Sequence, residues 1–486
     1  MNQPVRNIEP KIIWNHFADL NAIPRPSKKE ERIIKFMIEF GEKLRLETLI
    51  DKVGNVIIKK PATSDMIGKK KVVLQGHLDM VHQKNTDTIF NFEEEGIKMF
   101  VDGDWVKAEG TTLGADNGLG VAAIMAILSA TDVSHPDIEA LFTIDEETGM
   151  TGAMGLEGEI LEGEILLNLD TEEDDEIGIG CAGGVDVTAL KNYKETTTSN
   201  NDIAFSISIK GLNGGHSGMD IIKGLGNANK IMNRLLYSII DKVEIVEING
   251  GSLRNAIPRE SFAKIIVDVN YEQNAKDLIA DEISKIKNEF KTIEPNLNIE
   301  ISSCELPENK MENKDSQLII KSIYAALNGV YRMSPDVEGL VETSNNIAKV
   351  VVKNGEVKIA CLTRSSSESN KWDLANSLKS CFELAGFSVE FSGEYPGWLP
   401  NVNSSILKIV ESSYKKLFNS NPNVAACHAG LECGILGQNY PKMEMISFGP
   451  NIKGAHSPDE RAQISSTQKF WKLLKEVLKN IPAKKM

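Results

Sequence analysis

The sequence predicts an α/β protein: a mostly parallel sheet with helices on both faces, interrupted by an inserted α+β domain built from two similar halves. Three observations lead there. Short apolar runs alternate with helical stretches through the first 184 residues and again after residue 398. Between 185 and 398 the texture changes, and a strand–helix–strand unit occurs twice. The first pattern then returns at Met443–His456, so the middle region is an insertion. The expected boundaries are 1–184 and 399–486 for the first domain and 185–398 for the insertion.

Composition bounds what such a chain can do. Its 486 residues exceed one ordinary core, while 41% hydrophobic and 25% charged residues describe a globular protein rather than a disordered one. A net charge of −15 argues against duplex binding, which needs a basic footprint. Six cysteines are scattered without any C-x-x-C pair, so buried thiols are expected rather than a disulfide framework. Met1–Arg6 lacks an apolar signal core, and the longest apolar run, around Leu119–Leu128, is too short to span a bilayer. No membrane partner is expected, and the cytoplasm is the simplest home.

The elements follow in order. Ser27-Lys28-Lys29-Glu30 has the spacing of a capping box before the amphipathic run Ile33, Ile34, Met37, Ile38. A strand pair turns at Gly54-Asn55, and a second hairpin crosses Asp102-Gly103-Asp104. Between them Val72–Gly76 forms an apolar strand that ends in His77-Leu78-Asp79. Residues i and i+2 of an extended chain face the same side, so His77 can bind while Asp79 orients it. Asp116 stands in a glycine-rich stretch at the start of a small, apolar helix, where the helix dipole favours an anion or an ordinary N-cap. Ile138–Ile144 is a strand ending in Asp145-Glu146-Glu147, and Ile165–Leu169 another ending in Asp170. In the insertion, Phe262–Asn270 and Val357–Arg364 each lead through a helix to a further strand, Leu297–Ile301 and Phe387–Phe391. An Asn-x-Ile precedes each copy, as Asn255-Ala256-Ile257 and Asn345-Asn346-Ile347. Met443–Phe448 is a late strand followed by His456, and a helix from about Ser465 to Lys479 closes the chain.

His77, Glu146, Glu147, Asp170 and His456 are thus all expected just past strand ends, where parallel sheets place their ligands. Independent loop residues would show no such agreement. Two histidines with several carboxylates make a mixed N/O set, which suits zinc, and also manganese or cobalt, better than calcium. A carboxylate shared between two ions would hold them about 4 Å apart, and a spare glutamate would serve as general base.

Taken together, His77-x-Asp79, Asp116, Glu146-Glu147, Asp170 and His456 resemble the pattern of the co-catalytic metallopeptidases that include peptidase V, carboxypeptidase G and aminoacylase. The resemblance covers essentially the whole chain and implies a catalytic domain interrupted by a lid. It implies two divalent ions per subunit, zinc before cobalt or manganese, bridged by Asp116. His77 and Asp170 would complete one site, Glu147 and His456 the other. Glu146 would be the base and Asp79 the orienter of His77. In the lid, His216 would stabilise the oxyanion, and Asn255 and Arg364, at matching places in the two halves, would hold the substrate, Arg364 as a carboxylate clamp. His428 or Glu432 would read its free amine. His16, His82 and His135 have no supporting partners. The activity implied is dipeptide hydrolysis, Xaa-His substrates included, by a homodimer. An N-acyl amino-acid deacylase or desuccinylase on the same centre, and a non-catalytic metal- or peptide-binding protein, are the competing readings.

Overall fold

The computed structural model describes residues 2–484; Met1, Lys485 and Met486, at the ends of the expected first domain, lie outside the described residues. The chain forms two compact units. One runs to Gly180 and includes Pro400–Ala426 and the stretch from Leu431 onward; the other is Cys181–Leu399 with Cys427–Gly430.

The first unit is built on an eight-stranded sheet in the order Glu47–Ile50, Val56–Lys60, Ile138–Thr143, Val72–His77, Ile165–Asn168, Glu444–Ser447, Glu176–Cys181, Asn423–Cys427. Its middle strands, from Ile138–Thr143 to Glu444–Ser447, run parallel, and the hairpin at its edge is antiparallel. The parallel strands are buried on both faces, which is why they read as near-continuous apolar runs rather than alternating ones. At the hairpin tip, Asp51 Oδ1 accepts the N–H groups of Val53, Gly54 and Asn55, so one carboxylate closes the turn. The helix Ala115–Ser129 is apolar all round and lies inside, against the Val72–His77 strand and the helix Lys11–Leu20. A separate four-stranded sheet joins Met99–Asp102 and Trp105–Ala108 to the late strands Arg461–Gln463 and Ile452–Lys453.

The second unit contains a nine-stranded antiparallel sheet made of two βαββαβ halves of four strands each and a further strand, Gly329–Met333. In the first half the strands are Asp202–Lys210, Glu244–Gly250, Ser261–Asp268 and Asn298–Cys304, with helices Ala228–Tyr237 and Glu272–Phe290. The second half has Gly183–Asn192, Val341–Lys353, Glu356–Ser365 and Ser388–Tyr395, with helices Asn313–Ala325 and Glu368–Leu384. Each half places its fourth strand beside its first and its third beside its second. The first half is inserted after the opening strand of the second. Their second strands pair antiparallel, Ile248 opposite Val352, so one sheet runs through both.

Three local expectations are corrected. Ser27 does not cap a helix: its hydroxyl donates to Asp79 Oδ2 at 2.8 Å, while Glu30 Oε1 accepts from Lys28 N and Asp145 N, and the helix starts at Glu31. His456 does not directly follow the Glu444–Ser447 strand. Pro450 has no N–H with which to continue a ladder, and the chain instead forms the Ile452–Lys453/Arg461–Gln463 hairpin, with His456 in its connection at φ +64°. The two Asn-x-Ile sequences are not equivalent. Asn255 lies in an exposed turn before the short strand Ala256–Ile257, whereas Asn345–Ile347 lies within the long Val341–Lys353 strand. Asn255 and Arg364 therefore do not occupy matching places in the two halves.

Candidate metal centre and active site

Two histidines face opposite oxygens of one carboxylate. His77, the last residue of its parallel strand and 1% exposed, places Nε2 3.1 Å from Asp116 Oδ1 and 3.6 Å from Asp170 Oδ1. His456 places Nε2 3.2 Å from Asp116 Oδ2 and 3.0 Å from Glu147 Oε2. Two three-donor sets result, His77/Asp116/Asp170 and Asp116/Glu147/His456, each with its donor atoms within 4.8 Å of one another. Asp116 belongs to both. His77, Glu146 and Glu147 also meet within that distance.

The backbone around these groups is pinned by buried charges. Asp79 lies behind His77, with Oδ1 3.3 Å from Nδ1 but off the line of a good hydrogen bond. The same carboxylate accepts the N–H groups of Glu146 and Glu147, at 3.1 and 3.2 Å, and so fixes the two glutamates. Asp116 is not a helix cap. Its backbone is extended (ψ 114°) at a kink near the helix start, and the N–H groups of Leu113, Gly114, Ala115 and Asp116 all donate to the buried carboxylate of Glu460. Buried Arg25 donates to the carbonyls of Leu78, Asp79 and Gly114, tying the Asp79 and Asp116 segments together. Asn117 Nδ2 donates to Leu169 O, just before Asp170. The sequence reading missed Glu460 and Arg25, since a lone acid or base in a loop carries no spacing signal, and it gave Ser27 a helix-capping role in place of its bond to Asp79.

The electrostatics are those of a site short of positive charge. Burial pushes the Glu146 and Asp170 carboxyls well above the usual range, and neighbouring acids add to the shift against the pull of His77. Burial opposes a charge on His77, yet Asp170, Asp116, Asp79 and Glu146 together hold its imidazolium well above the usual value. His456 is pulled up to about 11, chiefly by its bonds to Asp116 and Glu147. Asp116 is drawn below the usual carboxylate range by the two histidines, against burial. Burial raises Glu172 to about 7 and Glu460 to about 6, with Asp116 adding to both. Glu147 Oε1 and Asp170 Oδ1 are buried without hydrogen-bond partners.

A metal fits this donor set. Ligand atoms bonded to one tetrahedral ion at ~2.0–2.1 Å lie about 3.3 Å apart, and the His–carboxylate separations run from 3.0 to 3.6 Å. The imidazole–carboxylate mixture suits zinc, cobalt or manganese.

The second unit holds the remaining candidates. His216 Nδ1 accepts from Gly218 N and Met219 N, so the neutral ring carries its proton on Nε2 as a donor. Burial, then Arg364, lowers its imidazolium. Arg364 is 5% exposed; Nη1 donates to Tyr395 Oη at 2.6 Å and Nε has no partner. Among the described residues no carboxylate pairs with it, although buried guanidinium groups ordinarily have one. The Asn255 carbonyl accepts Ser217 N and steadies the His216 turn. His428 Nε2 bonds Ser344 Oγ at 2.8 Å. Glu432 opens the helix Glu432–Asn439. It is 1% exposed within the first unit, with Oε2 accepting from Gln75 Nε2 and Thr143 Oγ1. His16 and His135 bond Ser129 Oγ and Pro136 O, as structural histidines do.

A cluster of imidazoles and carboxylates at the carboxyl ends of a parallel sheet, with a spare glutamate beside it, is the layout of a metal-dependent hydrolase. Residues 73–480 match peptidase family M20/M25/M40, and the chain belongs to that family. It is 43% identical over 479 residues to the cytosol non-specific dipeptidase of Escherichia coli (strain K12), covering 98% of this chain and 99% of that one. The solved structure of aminoacylhistidine dipeptidase from Vibrio alginolyticus matches with a TM-score of 0.94 at 42% identity, covering 99% of both chains. Aminopeptidase PepT from Bacillus cereus shares the fold, with a TM-score of 0.59 at 16% identity over 98% of this chain and 99% of that one.

Two outcomes follow from the pinning and burial. Glu460→Ala leaves four N–H groups without their acceptor and should destabilise the chain by about 3–5 kcal/mol, with Glu460→Gln costing less; urea unfolding of the three chains measures this. His428 is kept neutral, since burial, then Arg364 and His216, lower its imidazolium to about 3. The unfolded chain binds that proton near 6.5, so the stability this neutrality supports is complete above 6.5 and drains as pH falls toward 3. Between pH 7 and 5 the loss should be about 2 kcal/mol, and His428→Gln should escape it when urea midpoints are compared at the two pH values.

Proposed function

We propose that this chain is a metal-dependent dipeptidase that hydrolyses dipeptides, Xaa-His substrates included. The observation that carries the reading is the pair of three-donor sets joined through Asp116, with Glu146 beside them and outside both. The dipeptidase named above, 43% identical across nearly the full length, supports the substrate class.

His77 and Asp170 would hold one divalent ion, Glu147 and His456 another, and Asp116 both, with zinc ahead of cobalt and manganese. Bound there, the ions would activate a water molecule and polarise the scissile carbonyl. Glu146 takes the proton of the attacking water and delivers it to the leaving amine. Its burial makes it a stronger base than an exposed carboxylate, which suits that exchange. Asp79 sets the orientation of His77 and, through two N–H groups, the positions of Glu146 and Glu147.

The second unit is assigned the role of the lid. His216 supplies a neutral Nε2–H donor for developing negative charge, and its donor form is already set by the Gly218 and Met219 amides. Arg364, buried and without an acidic partner, is the clamp for the substrate's carboxylate, with Asn255 and His428 as further contacts. A cytosolic home follows the name of the 43%-identical relative. A homodimer is supported by the edge strand Gly329–Met333, which pairs on one side only among the described residues and exposes Val330, Tyr331 and Met333. No helix among the described residues is long and apolar enough to cross a membrane.

The test is amine release from β-alanyl-histidine, glycyl-histidine, leucyl-glycine, a tripeptide and an N-acetyl amino acid, each with and without chelator. Chelator-sensitive cleavage of the dipeptides alone is expected. Cleavage of the acetylated substrate alone would move the protein to the deacylases. Glu146→Gln should lower kcat at least ~10²–10⁴-fold while metal content is unchanged, and a wild-type rate in that variant removes Glu146 as the base.

A further inference from the structure

Four adjacent parallel strands, apolar along most of their length, contribute buried polar side chains near the same end that bond in series: Thr143, Gln75, Asn168 and Ser447. Such groups are costly in a core unless fully hydrogen-bonded. Here their bonds run in one direction. Ser447 Oγ donates to Asn168 Oδ1 at 2.5 Å, which leaves the Thr171 hydroxyl, 2.8 Å from Ser447 Oγ, as the donor of that pair. Asn168 Nδ2 donates to Gln75 Oε1 at 2.6 Å, and Gln75 Nε2 to Glu432 Oε2 at 2.6 Å. Thr143 Oγ1 donates to the same Glu432 oxygen at 2.8 Å. The chain ends on a carboxylate.

Glu432 opens the helix Glu432–Asn439 and is 1% exposed. Its second oxygen, Oε1, is buried with no hydrogen-bond partner, and among the described residues no lysine or arginine pairs with it. Burial raises the Glu432 carboxyl to about 7 against the pull of His77 and the Thr143 and Gln75 hydrogen bonds, so a cation nearby would complete its ionisation. Its location says where that charge belongs. Gln75 is two residues before His77 on the same strand face, Thr143 lies opposite His77 across the ladder, and Glu146 follows Thr143 by three residues.

We propose that Glu432 is a positioning residue of the metal centre: its ionised carboxylate closes the hydrogen-bond chain beneath the strand ends and helps hold the cations by charge, without being a ligand. The inference rests on the metal-centre reading above. It separates two roles that one substitution can divide. In Glu432→Gln the amide oxygen can still accept from Gln75 and Thr143, so the chain survives while the charge is lost, and relief of the buried charge offsets the unmet NH2 left at the Oε1 position. In Glu432→Asp the charge remains but retreats by one methylene, and the chain is weakened.

The experiment is calorimetric titration of the chelator-stripped, full-length chain with Mn²⁺, with thermal melts of the metal-free forms. Glu432→Gln should weaken Mn²⁺ binding by about 10–100-fold, in the range found for groups that support a metal's ligands, while the metal-free melt stays close to wild type. Glu432→Asp should melt lower yet bind Mn²⁺ more tightly than Glu432→Gln. Wild-type affinity in Glu432→Gln, or equal weakening in both variants, overturns the inference and leaves the metal centre intact. A wild-type chain that binds no Mn²⁺ overturns the metal-centre reading and this inference with it. Should Glu432→Gln fail to fold, Thr143→Val decides: it removes one donor and keeps the charge, so wild-type affinity supports the inference and a tenfold loss overturns it.

Discussion

The arrangement at the carboxyl ends of the parallel strands depends on one imbalance. Acidic groups outnumber positive ones in a space largely closed to water. Taking a carboxylate out of water costs several kcal/mol unless partners replace the solvent. The protein deals with the acids in two ways. Asp79 and Glu460 are given over to backbone amides, two for the first and four for the second. Asp116, Glu147 and Asp170 are left with oxygens directed at histidines or at nothing. The first set is satisfied by the fold itself, whereas the second meets only the two histidines, and a divalent cation would complete its compensation.

That division explains why the supporting residues are where they are. Asp116 must offer one oxygen to each histidine, which requires an extended backbone inside what would otherwise be a helix start. The four amides left over by that kink need an acceptor, and Glu460, four residues after His456, supplies it. One loop thus provides a donor to the cluster and the anchor of the residue that joins its two halves. Arg25 performs the matching task from the other side, joining the Gly114 carbonyl to those of Leu78 and Asp79.

The residues facing the cluster were legible in the sequence because a parallel sheet puts ligands at its strand ends, and apolar runs that stop at an acid or a histidine mark those ends. His77, Glu146, Glu147 and Asp170 announce themselves in this way. The strand–helix–strand repeat of the second unit was visible for the same reason, through periodicity. The interleaving of its halves was not, because Gly183–Asn192 is separated from the rest of its half by the whole of the other. Ser27 and Glu30 matched a capping box in spacing, and tertiary partners claimed both side chains. His456 was found through its motif although its place in the fold was misread, since a proline-containing turn ends one strand and a hairpin begins before the histidine arrives. The burial of Glu432 was not legible, because a glutamate at a helix start looks the same whether it faces solvent or a core.

The buried polar row addresses a weakness of strands like these. A register slip of one residue turns every side chain to the opposite face, and an apolar parallel strand resists it poorly because both faces are buried and similar. A slip of two would preserve the faces and move His77 by a full pleat. Gln75 and Asn168 forbid both, since each must meet a specific amide or carboxylate on its neighbour, and an unmet buried amide costs about 1–3 kcal/mol. A chain of bonds that crosses all four parallel strands fixes their ends relative to one another, and those ends carry His77, Glu146, Glu147 and Asp170. Polar groups in the core are here the means by which separate strands hold donor atoms at the spacing of about 3 Å that one ion requires.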